Sequence, residues 1–154
     1  RRSEKPLPLL IADLGEQPAE AILREIGEPR LRGMLRLAGY IPNSDLPAIY
    51  NRASAFLYTS LRESFGIPQL EAMACGTPVV TSATSAIPEV AGQGAILVDP
   101  TDPTAIADAL LRLETDAEFR AGQVAYGLER VKQFSWEKTA RHLLALYESL
   151  GKTN

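Results

Sequence analysis

Two glutamates separated by seven residues, Glu63 and Glu71, lie in the stretch Tyr58–Thr81, Y-T-S-L-R-E-S-F-G-I-P-Q-L-E-A-M-A-C-G-T-P-V-V-T. An ionised carboxylate is an acceptor-only group with room for paired hydroxyls, so sugars and riboses are natural partners. Between the two, Gly66 lets a ligand approach the backbone closely. Pro68 at the first helical position, Gly76 just past the end and Pro78 beyond it delimit a helix from Pro68 to Cys75. The first amides of such a helix have no internal partner, and with the helix dipole they form an anion site. Each carboxylate also has a plainer reading. Glu71, placed in the first helical turn, would complement the dipole by ~0.3–1 kcal/mol, and spacing alone leaves that reading level with ligand binding. Glu63 taken alone reads as a solvated loop charge.

These residues need a scaffold, and the pattern on either side supplies one. Short apolar runs alternate with helical stretches: strands at Leu7–Ala12, Met34–Ala38, Ala55–Tyr58, Val79–Thr81 and Ala95–Val98, and helices at Gln17–Ile26 and from the cap Ser44 to Asn51. Asp102-Pro103 is a cap followed by proline, a helix start with periodicity to about Leu113. Asp116 and Ser135 open two more helices. Strands that are apolar throughout, separated by helices, imply a parallel sheet covered on both faces. The expected fold is therefore α/β, a doubly wound Rossmann-like parallel sheet with C-terminal helices. One domain is expected over 1–154, its sheet part at about 7–100 and its helical tail at about 102–151. Ligands of such folds bind at the carboxyl ends of the strands, where the Glu63 loop falls.

The chain has 154 residues, 45% of them hydrophobic, enough for one domain that buries roughly 68–70% of its unfolded surface. Its 16 Lys and Arg against 19 Asp and Glu give a net charge of −3. That balance argues against nucleic acid as a partner, which needs a clustered basic surface. A single cysteine, Cys75, excludes an intramolecular disulfide and a Cys-based zinc site, and suits a reducing compartment. No apolar stretch approaches the ~20 residues of a membrane span, and no signal peptide is expected. The start at Arg1-Arg2 without Met predicts a piece of a longer protein.

The signature E-S-F-G-I-P-Q-L-E-A-M-A-C-G-T-P-V-V resembles the Glu-x7-Glu signature of retaining glycosyltransferases with the GT-B fold, most closely glycosyltransferase family 4. The resemblance continues in order over about Leu7–Leu150. L-R-L-A-G-Y-I-P (Leu35–Pro42) is similar to the strand and turn beside the nucleotide base. I-P-E-V-A-G-Q-G-A-I-L-V-D-P (Ile87–Pro100) is similar to the stretch after the signature, and F-S-W-E-K-T-A (Phe134–Ala140) to the start of the C-terminal helix. All of it maps to the nucleotide-sugar-binding half. The resemblance implies that Glu63, the one catalytic assignment, contacts donor-sugar hydroxyls. It implies that the loop Ser64, Phe65, Gly66 and Ile67 reaches the sugar and diphosphate. Glu71 would hold the ribose hydroxyls, and Ile41 would lie in the turn that contacts the base. Ser64 stands where many relatives have glycine, and a small residue still fits.

The implied reaction moves a hexosyl group from a nucleotide-diphosphate sugar, UDP- or GDP-linked, to an acceptor hydroxyl with retention. It implies no cofactor and no metal, in keeping with the lack of an Asp-x-Asp motif or a His/carboxylate cluster. A nucleotide-sugar-binding module without catalysis and a GT-B-fold epimerase are the alternatives. Two pieces of the pattern are absent: the N-terminal acceptor-binding domain, and the first strand and helix of the donor half with their diphosphate-neutralising Arg and Lys. Arg1, Arg2 and Lys5 do not match that motif. Without the central first strand, Leu7–Ala12 and Ala55–Tyr58 would flank a gap, and the isolated chain is expected to be inactive. The implied setting is cytoplasmic, in polysaccharide or glycolipid synthesis, with peripheral membrane attachment through segments outside this chain. His142 and Cys75 are expected to be structural, Trp136 to pack the last helix down, and Leu143, Leu144, Tyr147 and Leu150 to form a packing face. Glu89 reads equally as a buried acceptor or cap and as a ligand.

Overall fold

A computed structural model describes residues 7–151 of the chain; Arg1, Arg2 and Lys5 lie outside them. The chain divides into two compact units, residues 1–49 and 50–154. In the first, β1 (Leu9–Ala12) pairs in parallel with β2 (Leu35–Gly39), Leu9 opposite Leu35, with a register shift between Ile11 and Ala12. Helix α1 (Glu16–Glu25) connects them, burying Ala19 and Leu23. It ends as the sequence suggests, with Gly27 left-handed at φ 69°. A 3-10 helix at Pro29–Met34, which the strand-and-helix pattern did not announce, follows it. Its Arg32 is ion-paired to Glu16 of α1. Helix α2 (Leu46–Arg52) carries the boundary between the units.

In the second unit β3 (Phe56–Tyr58), β4 (Val79–Ser82) and β5 (Ala95–Val98) form a parallel sheet in that order. The parallel α/β reading of the sequence therefore holds. The strands read at Leu7–Ala12 and Ala55–Tyr58 belong to different ladders. All four residues of the central β4 are buried, as a strand covered on both faces requires. On one face Val80 and Val98 meet Ala109 and Leu113 of α5 (Pro103–Thr115), with Leu57, Ile96, Leu110 and Phe119 packed around them. The other side is laid down by α3 (Ile67–Ala74), which packs against α6 (Ala117–Val131). Small residues allow the approach: a Cβ at Gly127 of α6 would lie 3.2 Å from Met73 Cγ. A short helix absent from the sequence reading, α4 (Ile87–Ala91), follows β4.

Three of the four caps behave as read, but Ser44 does not cap α2: the helix begins at Leu46, the amides of Ala48 and Ile49 bond the Asp45 carbonyl, and Ser44 Oγ donates to Asp45 Oδ1 at 3.1 Å. Asp102 accepts hydrogen bonds from the amides of Thr104 (2.8 Å) and Ala105 (3.1 Å), and Asp116 from that of Phe119 (2.9 Å). Ser135 Oγ accepts from the Lys138 amide at 3.1 Å and opens α7 (Trp136–Gly151). Trp136 departs from expectation. It is 82% exposed, because α7 buries none of its residues and offers the indole no surface to pack on. Leu143, Leu144, Tyr147 and Leu150 share one apolar face that is exposed too, and His142 lies at the surface. No described helix is long and apolar enough to cross a membrane. Asp102→Ala, which removes two capping bonds from α5, should cost ~1 kcal/mol in urea unfolding, within the 0.5–2 kcal/mol typical of lost caps.

Candidate functional site

At the carboxyl end of β3, carbonyls of its last residue and of the loop that follows accept hydrogen bonds from side chains. Side chains at and just beyond the end of β4 satisfy them. Thr81 Oγ1 donates to the Tyr58 carbonyl (2.9 Å), Ser82 Oγ to Ser60 (2.6 Å) and Thr84 Oγ1 to Leu61 (3.4 Å). Ser85 Oγ donates to the Glu63 carbonyl at 2.6 Å and accepts from the Glu63 amide at 3.2 Å. Ser85 reaches this position from a left-handed backbone, φ 59°. Glu63 is thus fixed at both backbone groups before any ligand arrives.

Its side chain is fixed as well. Tyr58 Oη donates to Glu63 Oε1 at 2.5 Å, a short charge-assisted bond. Burial, then the hydrogen bond to Glu63 and that residue's charge, push the Tyr58 hydroxyl well above its ordinary pKa. Glu71 has a matching partner on α2. Tyr50 Oη donates to Glu71 Oε2 at 3.4 Å, and burial followed by the Glu71 charge raises Tyr50 to about 12. Phe56 stands between the two tyrosines, stacked on Tyr58 (centroids 5.8 Å apart) and edge-on to Tyr50 (5.2 Å). Each carboxylate is therefore held by a phenol at one end of a three-ring ladder. The tyrosines carry no spacing signature; only their positions, one ending a strand and one on a helix, bring them to the glutamates.

Between the carboxylates the chain turns through Gly66, buried and left-handed at φ 86°. A Cβ there would stand 2.9 Å from Gln69 Nε2 and 3.6 Å from Tyr58 Cε1. Gly66 is the N-cap of α3, and no side chain among the described residues caps that end. Ile67 is the first helical residue, so Pro68 is the second rather than the first. Glu71 accordingly falls in the second turn and not the first, as the sequence reading had it. The dipole explanation for Glu71 falls away with that shift, since the effect fades beyond the first turn. Glu71 and Ser64 are exposed and Glu63 is half-buried. Phe65 and Ile67 are exposed to 41% and 46%, an unusual presentation of two apolar side chains on a loop. Glu63, Ser64, Phe65, Gly66 and Ile67 thus form one continuous loop that leads into the helix carrying Glu71. Ile41 belongs to the other unit, half-buried in the turn after β2. Cys75 is half-buried at the end of α3. Glu89, in the first turn of α4, uses its carbonyl to accept from Arg130.

The parallel α/β architecture is that of a GT-B glycosyltransferase domain, as comparison with known proteins shows. The chain belongs to the family described as Glycosyl transferases group 1, which matches residues 1–130. It is 36% identical over 143 residues to the O-antigen chain mannosyltransferase B of Escherichia coli, covering 93% of this chain and 38% of that protein. It is 37% identical over 133 residues to a D-inositol 3-phosphate glycosyltransferase of Corynebacterium urealyticum, covering 85% of this chain and 31% of that protein. The chain thus spans well under half the length of either relative. Among solved structures, the sucrose-phosphate synthase of Thermosynechococcus elongatus superposes with a TM-score of 0.80 at 29% identity, over 94% of this chain and 39% of that one. The Anabaena protein HepE, solved in complex with UDP, shares the fold with a TM-score of 0.81 at 20% identity, over 93% of this chain and 41% of its own.

Gly66→Ala should destabilise the chain by ~1–2 kcal/mol in denaturant unfolding, the cost of a left-handed non-glycine residue, before any shift of Gln69 is added. The phenol pairs predict a late titration. The folded protein holds the Tyr50 proton more tightly than the unfolded chain does. That stabilisation is complete below pH 10 and is lost as pH rises through about 12. An ultraviolet titration of the wild type minus that of Tyr50→Phe should place the missing phenol near 12 rather than 10.

Proposed function

We propose that this chain is the donor-binding part of a retaining, metal-independent glycosyltransferase of family 4. It would serve to move a hexosyl group from a UDP- or GDP-linked sugar to an acceptor hydroxyl. The observation that carries the reading is the uncapped, glycine-started α3 flanked by two tyrosine-held carboxylates. A diphosphate needs positive ends without a bulky side chain in the way. The first amides of α3, those of Ile67 and Gln69, have no side-chain cap, and with the helix dipole behind them they are of that kind; Pro68 has none to give. The hydroxyls of a sugar and a ribose need acceptors at separated points, and Glu63 and Glu71 are two acceptors on one rigid segment.

The held state of the carboxylates suits positioning rather than acid–base chemistry. Glu63 keeps one oxygen engaged by Tyr58 and has the other to accept from a donor-sugar hydroxyl. Glu71, exposed and bonded only at 3.4 Å, is free to accept from the ribose. As the bond from the sugar carbon to the diphosphate breaks, its electron pair moves onto the phosphate oxygen. Amides that already point at that oxygen lower the barrier without reorganising, which is the strongest kind of electrostatic catalysis. Glu63, placed against the sugar where positive charge develops, is the catalytic residue in this account. Ile41, in the turn after β2, would contact the base.

The acceptor would be bound by an N-terminal half outside this chain, and the isolated chain would not transfer sugar by itself. The E. coli relative named as an O-antigen chain mannosyltransferase favours polysaccharide as the product class; the proposed setting is the cytoplasm, at the inner face of the membrane. The test is an amide NMR titration with UDP, GDP and ADP. Shifts at Phe65–Glu71 and at Ile41 with one nucleotide would support the reading and name the base. Glu71→Ala should weaken that binding roughly tenfold, the loss of a charged hydrogen bond. A folded spectrum that no nucleotide perturbs would overturn the reading.

A further inference from the structure

Two stretches singled out in the sequence, Ile87–Pro100 and Phe134–Ala140, take no part in the chemistry above. The structure ties both to the donor loop. Phe65 presents its ring edge-to-face to Phe134, centroids 5.7 Å apart and planes at 88°. Its carbonyl accepts from Gln69 Nε2 of α3 at 3.4 Å, and Gln69 is fully buried. Phe134 is in turn roofed by the guanidinium of Arg130, 4.9 Å from the ring centroid. Arg130 has little freedom. Its Nε donates to the Val90 carbonyl at 2.9 Å, Nη2 to the Glu89 carbonyl at 2.5 Å, and Nη1 to Gln133 Oε1. It fits there because Gly92 has no side chain; a Cβ would come within 3.0 Å of Arg130 Nε.

We propose that Arg130 and Phe134 are positioning residues that hold the donor loop through the Phe65 ring. This rests on the reading of Ser64–Ile67 as the diphosphate- and sugar-binding loop. Each of the three nitrogens of Arg130 donates to the protein, two to carbonyls of α4 and one to Gln133, so the fold itself anchors the guanidinium against the Phe134 ring. A planar guanidinium can face a ring and grip two carbonyls at once, whereas lysine is a point charge without the planar face or the fixed fork. Phe65 is 41% exposed, and Phe134 is half-buried at the end of α6, so the pair sits where a side chain can move. The effect should fall on how well the loop amides are aimed, and hence on the donor rather than on the acceptor.

The experiment uses the full-length protein that carries this chain, with hydrogen exchange on the unliganded state and steady-state kinetics in donor and acceptor. Phe134→Leu keeps the apolar bulk and loses the ring; Arg130→Met keeps the stem and loses the grip. Both should speed amide exchange at Ser64–Ile67 and raise the donor KM roughly two- to tenfold, the range that loss of one ring pair allows. The acceptor KM should stay unchanged, and Phe134→Tyr should restore both readouts. Unchanged exchange at Ser64–Ile67 in Phe134→Leu overturns the proposal, as does an equal rise in donor and acceptor KM. Faster exchange in a protein whose wild type binds none of UDP, GDP or ADP would leave Phe134 as the holder of the loop while refuting the donor reading.

Discussion

A loop that leaves the end of a parallel strand carries carbonyls that the sheet no longer pairs, and such groups are costly unless something donates to them. Here hydroxyls at and beyond the end of the neighbouring strand do so: Thr81, Ser82, Thr84 and Ser85 donate to Tyr58, Ser60, Leu61 and Glu63. The rest of the site depends on this ladder. It carries the loop to Glu63 in one conformation and delivers the chain to Gly66 at the angle from which α3 must start. Alanine at Ser82 or Ser85 would remove one of these bonds, so the polarity of the β4 end is tied to the placement of a carboxylate on the preceding loop.

The rings solve a second problem, that of holding two acidic side chains without consuming them. A lysine or arginine partner would neutralise a carboxylate and occupy both of its oxygens. A phenol donates one bond and leaves the charge in place. The two bonds differ, 2.5 Å at Glu63 and 3.4 Å at Glu71, and so do the settings, one half-buried and one exposed. Glu63 is the more rigid of the two and Glu71 the more adaptable. On the proposed reading, that ordering would let Glu63 hold a sugar closely and Glu71 retain a ribose.

Much of the framework was legible because its signals are local. The caps Asp102, Asp116 and Ser135, the stop at Gly76 and the strand Ala95–Val98 rest on residue types whose backbone preferences act within a few positions. The loop Glu63–Ile67 followed from the same local grammar. What escaped was short or through-space. The five residues of α4 are too few to show a helical period, and the 3-10 segment holds Pro29 and Gly33. The one-residue shift of α3, set by Gly66 serving as the cap, moved Glu71 out of the first turn and changed what its position means. Tyr50 and Tyr58 could not be matched to Glu71 and Glu63 from spacing, since Tyr50 lies twenty-one residues from its partner. Trp136 was misplaced for a related reason: a large apolar residue beside a cap suggests packing, but packing also requires a surface opposite it.

The same distinction between local and through-space signals bears on Phe134 and Arg130. In sequence, Phe134 precedes the cap Ser135 and looks like the opening of α7. In space its ring faces backward, to Phe65 of the loop before α3, and Arg130 connects it to the last carbonyls of α4. The end of α6 is thereby linked to both of the segments that follow the strands β3 and β4. A helix tail that buries nothing of its own in α7 still contributes to the site, through the two residues that come just before it. The boundary between a sheet part and a helical tail is therefore one of sequence pattern. The loop Glu63–Ile67 draws on both sides of it.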